Sequence, residues 1–203
     1  MKLPFLAMLA ILLPAIGLAG DPQWPQWRGP KRDNVWPVTQ LPKKLPAKLP
    51  PLWSKPLGGG YGGIAVSGDR VFVMDRQTMP KDVERVVCLD LDTGERNWVR
   101  EYPVSYKGID YGNGPRGTPT VHEGRVYTLG TVGHLHCLDA ATGKVLWSHD
   151  CVAEFRAKLP SWGLACSPLI DGDRVVVQVG GEDACAIAFD RVTGKVLWKA
   201  LQD

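Results

Sequence analysis

The sequence predicts an all-β chain of repeated four-stranded antiparallel sheets, and two observations carry that reading. One short pattern occurs three times, as Cys88 to Trp98 (CLDLDTGERNW), Cys137 to Trp147 (CLDAATGKVLW) and Ala188 to Trp198 (AFDRVTGKVLW), with its tryptophans 49 and 51 residues apart. A fixed period near fifty marks a repeat architecture whose unit cannot bury its apolar face alone. Ahead of each copy stand short β-branched runs separated by turn residues, and helical periodicity is scarce. Four strands per period describe the blade of a β-propeller.

Each blade opens on a hairpin. Ile64 to Val66 and Val71 to Met74 flank Ser67, Gly68 and Asp69; Thr118 to Val121 and Val126 to Leu129 flank Glu123 and Gly124; Leu169-Ile170 and Val175 to Val179 flank Asp171, Gly172 and Asp173. Such turn residues tolerate positive φ between apolar runs. A third strand follows over Arg85 to Leu89, His134 to Leu138 and Ala184 to Phe189, the last reached through Gly180 to Asp183. The repeated motif then turns the chain into a fourth strand near each tryptophan. Only Asp150 to Lys158 suggests a turn or two of helix.

The motif residues have mechanical roles. Asp90, Asp139 and Asp190 are placed to accept hydrogen bonds from the backbone N–H groups of the turn that follows. Gly94, Gly143 and Gly194 supply a positive-φ corner. Trp98, Trp147 and Trp198 offer a broad apolar ring and an indole N–H for docking on the neighbouring blade. The first slot, Cys88, Cys137 and Ala188, must be small where the chain crowds.

The pattern A-x-D-x-x-T-G-x-x-x-W resembles the tryptophan-docking motif of pyrroloquinoline-quinone (PQQ) type β-propellers, shared by quinoprotein dehydrogenases and BamB-like outer-membrane assembly factors. WPQWRGPKRDN (Trp24 to Asn34), YGNGPRGTPTV (Tyr111 to Val121) and WGLACSPLIDGD (Trp162 to Asp173) are similar to the bacterial secreted PQQ-like repeat group. Cysteine replaces alanine twice at the motif's first slot. For an enzyme of this type the resemblance implies a bound quinone, calcium held by acidic and amide ligands, a general-base Asp and often a disulfide between adjacent cysteines. The sequence holds no adjacent cysteine pair and no C-x-x-C-H for covalent haem. No base or calcium ligand transfers residue by residue, so no catalytic, cofactor-binding or metal position is assigned.

In chain order, residues 1–19 read as a signal peptide: a basic start at Lys2, an apolar run to Leu18, and Gly17 and Ala19 at the cleavage site. An uncleaved anchor is the alternative, although a span needs about 20 residues. No cysteine follows for a lipoprotein anchor. Residues 20–51 form a Pro- and Lys-rich arm, read as lying on the propeller and pinned by Trp24, Trp27 and Trp36; contact with anionic lipid or polysaccharide is the alternative. Residues 52–203 form the partial propeller: a lone outer strand at 52–56 carrying Trp53, then blades at 57–102, 117–150 and 164–203. Propellers run to about 4–8 blades. The expectation is therefore an incomplete ring from a larger, eight-bladed one, with closure by copies of the chain as the alternative.

Composition is ordinary for a globular protein, with 44% apolar and 22% charged residues. A formal charge of +3, one less without Lys2, gives no reason to expect nucleic acid as a partner. Five cysteines leave at least one unpaired; Cys88 and Cys137 are packing residues, and a Cys151–Cys166 bridge is one of the pairings left open. His134 and His136 share a strand face but lack an acidic third ligand, and read as strand histidines.

Recognition is expected at the two long loops that join a fourth strand to the next first strand. The first, Tyr102 to Arg116, carries Asp110, Tyr111 and Arg116; the second, Asp150 to Ala165, carries Trp162. Arginine suits bidentate carboxylate contacts and tryptophan suits stacking; the alternative is that both lock the loops to neighbouring blades. The resulting expectation is an exported, periplasmic or secreted, non-catalytic binding or scaffold module of the cell envelope, BamB-like, with protein or peptide partners. Neither a cofactor nor a lasting membrane anchor is expected. The alternative is a PQQ-dependent oxidoreductase with calcium, or a degenerate remnant of one.

Overall fold

The computed structural model describes residues 23–36, 43–44 and 46–202. The leader at 1–19 and part of the arm lie outside these. The described chain contains three four-stranded antiparallel sheets. The first has β1 (Ala65–Ser67), β2 (Arg70–Gln77), β3 (Val83–Asp90) and β4 (Arg96–Pro103) in that order. The second has β5 (Thr120–His122), β6 (Arg125–Leu129), β7 (His134–Asp139) and β8 (Val145–Asp150). A single helix, α1 (Cys151–Phe155), is capped by the Asp150 carboxylate at the amide of Ala153. The third sheet has β9 (Leu169–Asp171), β10 (Arg174–Gly181), β11 (Ala184–Asp190) and β12 (Val196–Ala200). The sheets are propeller blades arranged as an arc, with no closed ring among the described residues.

The turn chemistry matches its sequence signature. Asp90 Oδ1 accepts from the amides of Asp92 and Thr93 and from the Thr93 hydroxyl, and Asp139 and Asp190 repeat the arrangement. Gly94, Gly143 and Gly194 have φ of 68°, 71° and 75°. These bonds favour the ionised carboxyl and hold all three aspartates below their ordinary pKa, through the threonine amide and hydroxyl first.

Trp98 and Trp147 each dock on the following blade. Trp98 Nε1 donates to Ala140 O at 3.1 Å and Trp147 Nε1 to Arg191 O at 3.2 Å. Cys88 pairs across the strands with Trp98, Cys137 with Trp147 and Ala188 with Trp198, and in every blade the register shifts at that pair. The small slot is thus the cross-strand seat of the indole at a β-bulge, which explains why Cys serves as well as Ala.

Two cores form where blades meet. Phe72, Met74, Val86 and Cys88 meet Val121, Val126 and Leu138 between the first and second blades. Tyr127, Leu129, Leu135 and Cys137 meet Val175, Val177, Ile187 and Phe189 between the second and third. Burying side chains of this size contributes about 1.5–3 kcal/mol each.

Leu52–Pro56 joins no ladder, because a fourth strand needs a third strand of its own blade beside it. Trp53 nevertheless docks as the blade tryptophans do: Nε1 donates to Leu91 O at 2.8 Å, and its ring lies against Gly94. All five cysteines are free, so Cys151 and Cys166 are not bridged. The expected arm contact holds in part. Trp24 exchanges two backbone hydrogen bonds with Val66 and stacks on Trp36 at 5.5 Å, whereas Trp27 is half exposed.

Candidate functional site

The loops before the three inner strands pack backbone against backbone. Gly62 and Gly117 hold equivalent places in the first two blades, three residues before the residues paired to Phe72 and Tyr127. A Cβ at Gly62 would strike the carbonyl of Gly117, and one at Gly117 would lie 2.8 Å from the carbonyl of Cys166. Only glycine admits such approach. Cys166 occupies the equivalent place in the third blade, and there a cleft of about 620 Å³ opens.

Of the residues expected to recognise a partner, Arg116 and Trp162 are brought together in this cleft, joined by Trp27 and Arg32 from the arm. Trp162 is 57% exposed. The positive-φ corner at Gly163 presents it, packed on Thr131, while Leu164 N donates to Thr131 O. Asp110 and Tyr111 do not line the cleft. The Asp110 amide donates to Ser161 O, tying the two loops together, and Tyr111 turns its ring to solvent at 78% exposure.

Arg116 is a brace. Its Nη2 donates to the carbonyls of Asp110 at 3.0 Å and Tyr111 at 2.8 Å, and Nη1 to that of Gly114. The loop-locking role holds for its donors, while its charge remains at the cleft wall. Arg32 went unnoticed in the sequence because the arm reads as dispersed surface charge. Its Nε donates to Gln26 Oε1 at 3.0 Å and Nη2 to Pro168 O at 3.1 Å, and neither partner is charged. Burial lowers its pKa, offset in part by Cys166; burial likewise pushes the Cys166 thiol up.

A second polar cluster lies between the first two blades. Glu84, fully buried, accepts from Tyr102 and Tyr106 hydroxyls and from the Thr131 amide. Burial, then the Glu84 charge, drives both tyrosine pKa values far upward. Tyr102 covers His134 and His136, with ring centroids 5.2 and 4.5 Å away. Burial first, then His134 and Arg100, lower the His136 pKa to about 4. No group of three His, Cys, Asp or Glu side chains suited to a metal occurs among the described residues. Asp75, the other buried carboxylate, is engaged by Arg85 and the amide of Gly58.

The family model described as outer membrane protein assembly factor BamB matches residues 105–203. A 1-butanol dehydrogenase (quinone) of Thauera butanivorans is 31% identical over 109 residues, covering 51% of this chain and 16% of that protein. The outer membrane protein assembly factor BamB of Burkholderia pseudomallei is 34% identical over 119 residues, 56% of this chain and 27% of that one. The match thus spans about a quarter or less of these relatives' own lengths. Among solved structures, a europium-containing methanol dehydrogenase superposes with TM-score 0.54 at 25% identity, covering 70% of this chain and 25% of that one.

Proposed function

We propose, taking as premise that this chain is a PQQ-like β-propeller repeat protein, that it is a non-catalytic binding module of the cell envelope. Its partners are proteins or peptides, engaged at the loop face. The observation that carries this reading is the loop around Trp162, a ring 57% exposed with the Arg116 charge nearby, in a segment that the BamB family model matches. Aromatic and arginine side chains around an apolar centre are what a protein-binding surface uses. The resemblance to BamB and the reading of residues 1–19 as a leader support placement in the periplasm or outside the cell.

The second reading, a quinone-dependent oxidoreductase, is favoured by the likeness to the butanol and methanol dehydrogenases. Its cofactor needs free acidic ligands for calcium. Among the described residues the two buried carboxylates, Asp75 and Glu84, are already engaged by protein donors. A photo-crosslinking residue at position 162, compared with one at exposed Leu197, tests the first reading in envelope preparations. A protein adduct specific to position 162 supports it. Saturable, alcohol-dependent dye reduction on adding PQQ and calcium overturns it in favour of the enzyme.

A further inference from the structure

We infer that His149 is a proton-operated clasp between the second and third blades: the doubly protonated ring ties α1 to a corner of the third blade, and loss of one proton releases one of the two ties. Its Nδ1 lies 2.6 Å from Glu154 Oε2 in α1, and Nε2 lies 2.8 Å from Gly194 O in the turn between β11 and β12. Both partners are acceptors. A neutral imidazole carries one N–H and serves only one of them, turning a lone pair toward the other oxygen; the imidazolium donates to both. The bond to Glu154 is then charge-assisted. That carboxylate is already aimed, because its Oε1 accepts from the Asp150 amide at 3.0 Å. The repeat itself does not call for this residue: two positions after the motif tryptophan stand Arg100 in the first blade and Ala200 in the third.

The surroundings hold the ring in place. Phe189 of β11 lies 4.6 Å away between centroids, and Trp147 meets the imidazole edge-on at 5.8 Å. The charged groups facing it are Glu154 from α1 and Asp150 at the end of its own strand, whose carboxylate is used on the Ala153 amide. The third blade presents the Gly194 carbonyl and the Phe189 ring, while Lys195, next in the turn, is exposed. Gly194 is also the corner against which Trp147 docks, so indole and imidazole grip one turn together. Because α1 opens the loop that carries Trp162, the same proton governs how firmly that loop is rooted. Partners for the charged form stabilise the fastened state in acid, and that contribution is lost as the pH rises and the ring gives up its proton. The sign is opposite to that of His136, which weakens the fold in acid.

Ring-nitrogen NMR and amide exchange on the full chain test the clasp at about pH 5.5 and about pH 8.5, either side of the ordinary histidine value. His149 should show two ring N–H groups in acid and one in base. Protection of the Ala153 and Ala157 amides should exceed that in His149→Gln by about tenfold in acid, the size of one hydrogen bond, and approach it in base. His122→Gln, in β5, should keep the wild-type pattern. Where His149→Gln does not fold, Glu154→Gln keeps an oxygen against the imidazole without its charge, and should shrink the difference between acid and base. A single ring N–H at both pH values overturns the clasp. So does protection that is equal in wild type and His149→Gln, or a difference that persists unchanged in base.

Discussion

Trp98 and Gly143 form a joint between blades: the indole N–H donates 3.1 Å to the Ala140 carbonyl while the ring lies where a Gly143 side chain would go, 2.6 Å from an added Cβ. Trp53 with Gly94 and Trp147 with Gly194 repeat it. A positive φ and a flat ring together demand glycine, so the joint is specified from both sides.

Gly143→Ala should therefore cost about 2–3 kcal/mol, combining left-handed strain with displacement of the indole. Gly124→Ala makes the control. Its φ is also +71°, yet nothing lies within 4 Å of its added Cβ, so strain alone should cost about 1 kcal/mol. Urea midpoints of the two variants check the difference.

Acid should weaken the protein through His136. In the unfolded chain this imidazole takes a proton near pH 6.5, but in the fold only near 4. The folded pKa is depressed, so the unfolded state binds the proton first. Stability from this group is level above about pH 6.5 and falls between 6.5 and 4, by up to about 3 kcal/mol. Thermal midpoints across that range should show the slope, and His136→Gln should flatten it.

Glu84→Gln should destabilise by about 2–3 kcal/mol, because two tyrosine hydroxyls and an amide converge on an acceptor that the variant halves. Denaturant titration reads the loss; a change within 0.5 kcal/mol would show that the tyrosines find other partners.

Native thiol titration should find at most Cys166 and Cys185 reactive, since Cys88, Cys137 and Cys151 are wholly buried. Burial raises the Cys151 pKa to about 12, leaving almost no thiolate. All five should react in denaturant.

The blades were legible because their signals are local: Asp90 reaches amides two and three residues on, and Gly94 closes the same turn. The site was legible only where its chemistry shows in one residue, as at Trp162. Glu84 stands between Val83 and Arg85 and reads as a surface strand position, while its partners lie up to 47 residues away. Arg32 depends on a carbonyl 136 residues distant. Leu52 to Lys55 (LWSK) looks like the fourth strand around each blade tryptophan, yet Trp53 keeps only the docking contacts and joins no ladder among the described residues.

The arm has a consequence of its own. Its backbone bonds reach Val66 in β1 and Val121 in β5, and Arg32 reaches Pro168 just before β9. The same short loop contributes Trp27 and Arg32 to the cleft. It is therefore at once a strap across all three sheets and one wall of the pocket. Removing the strap would therefore take one tie from each of the three sheets at once.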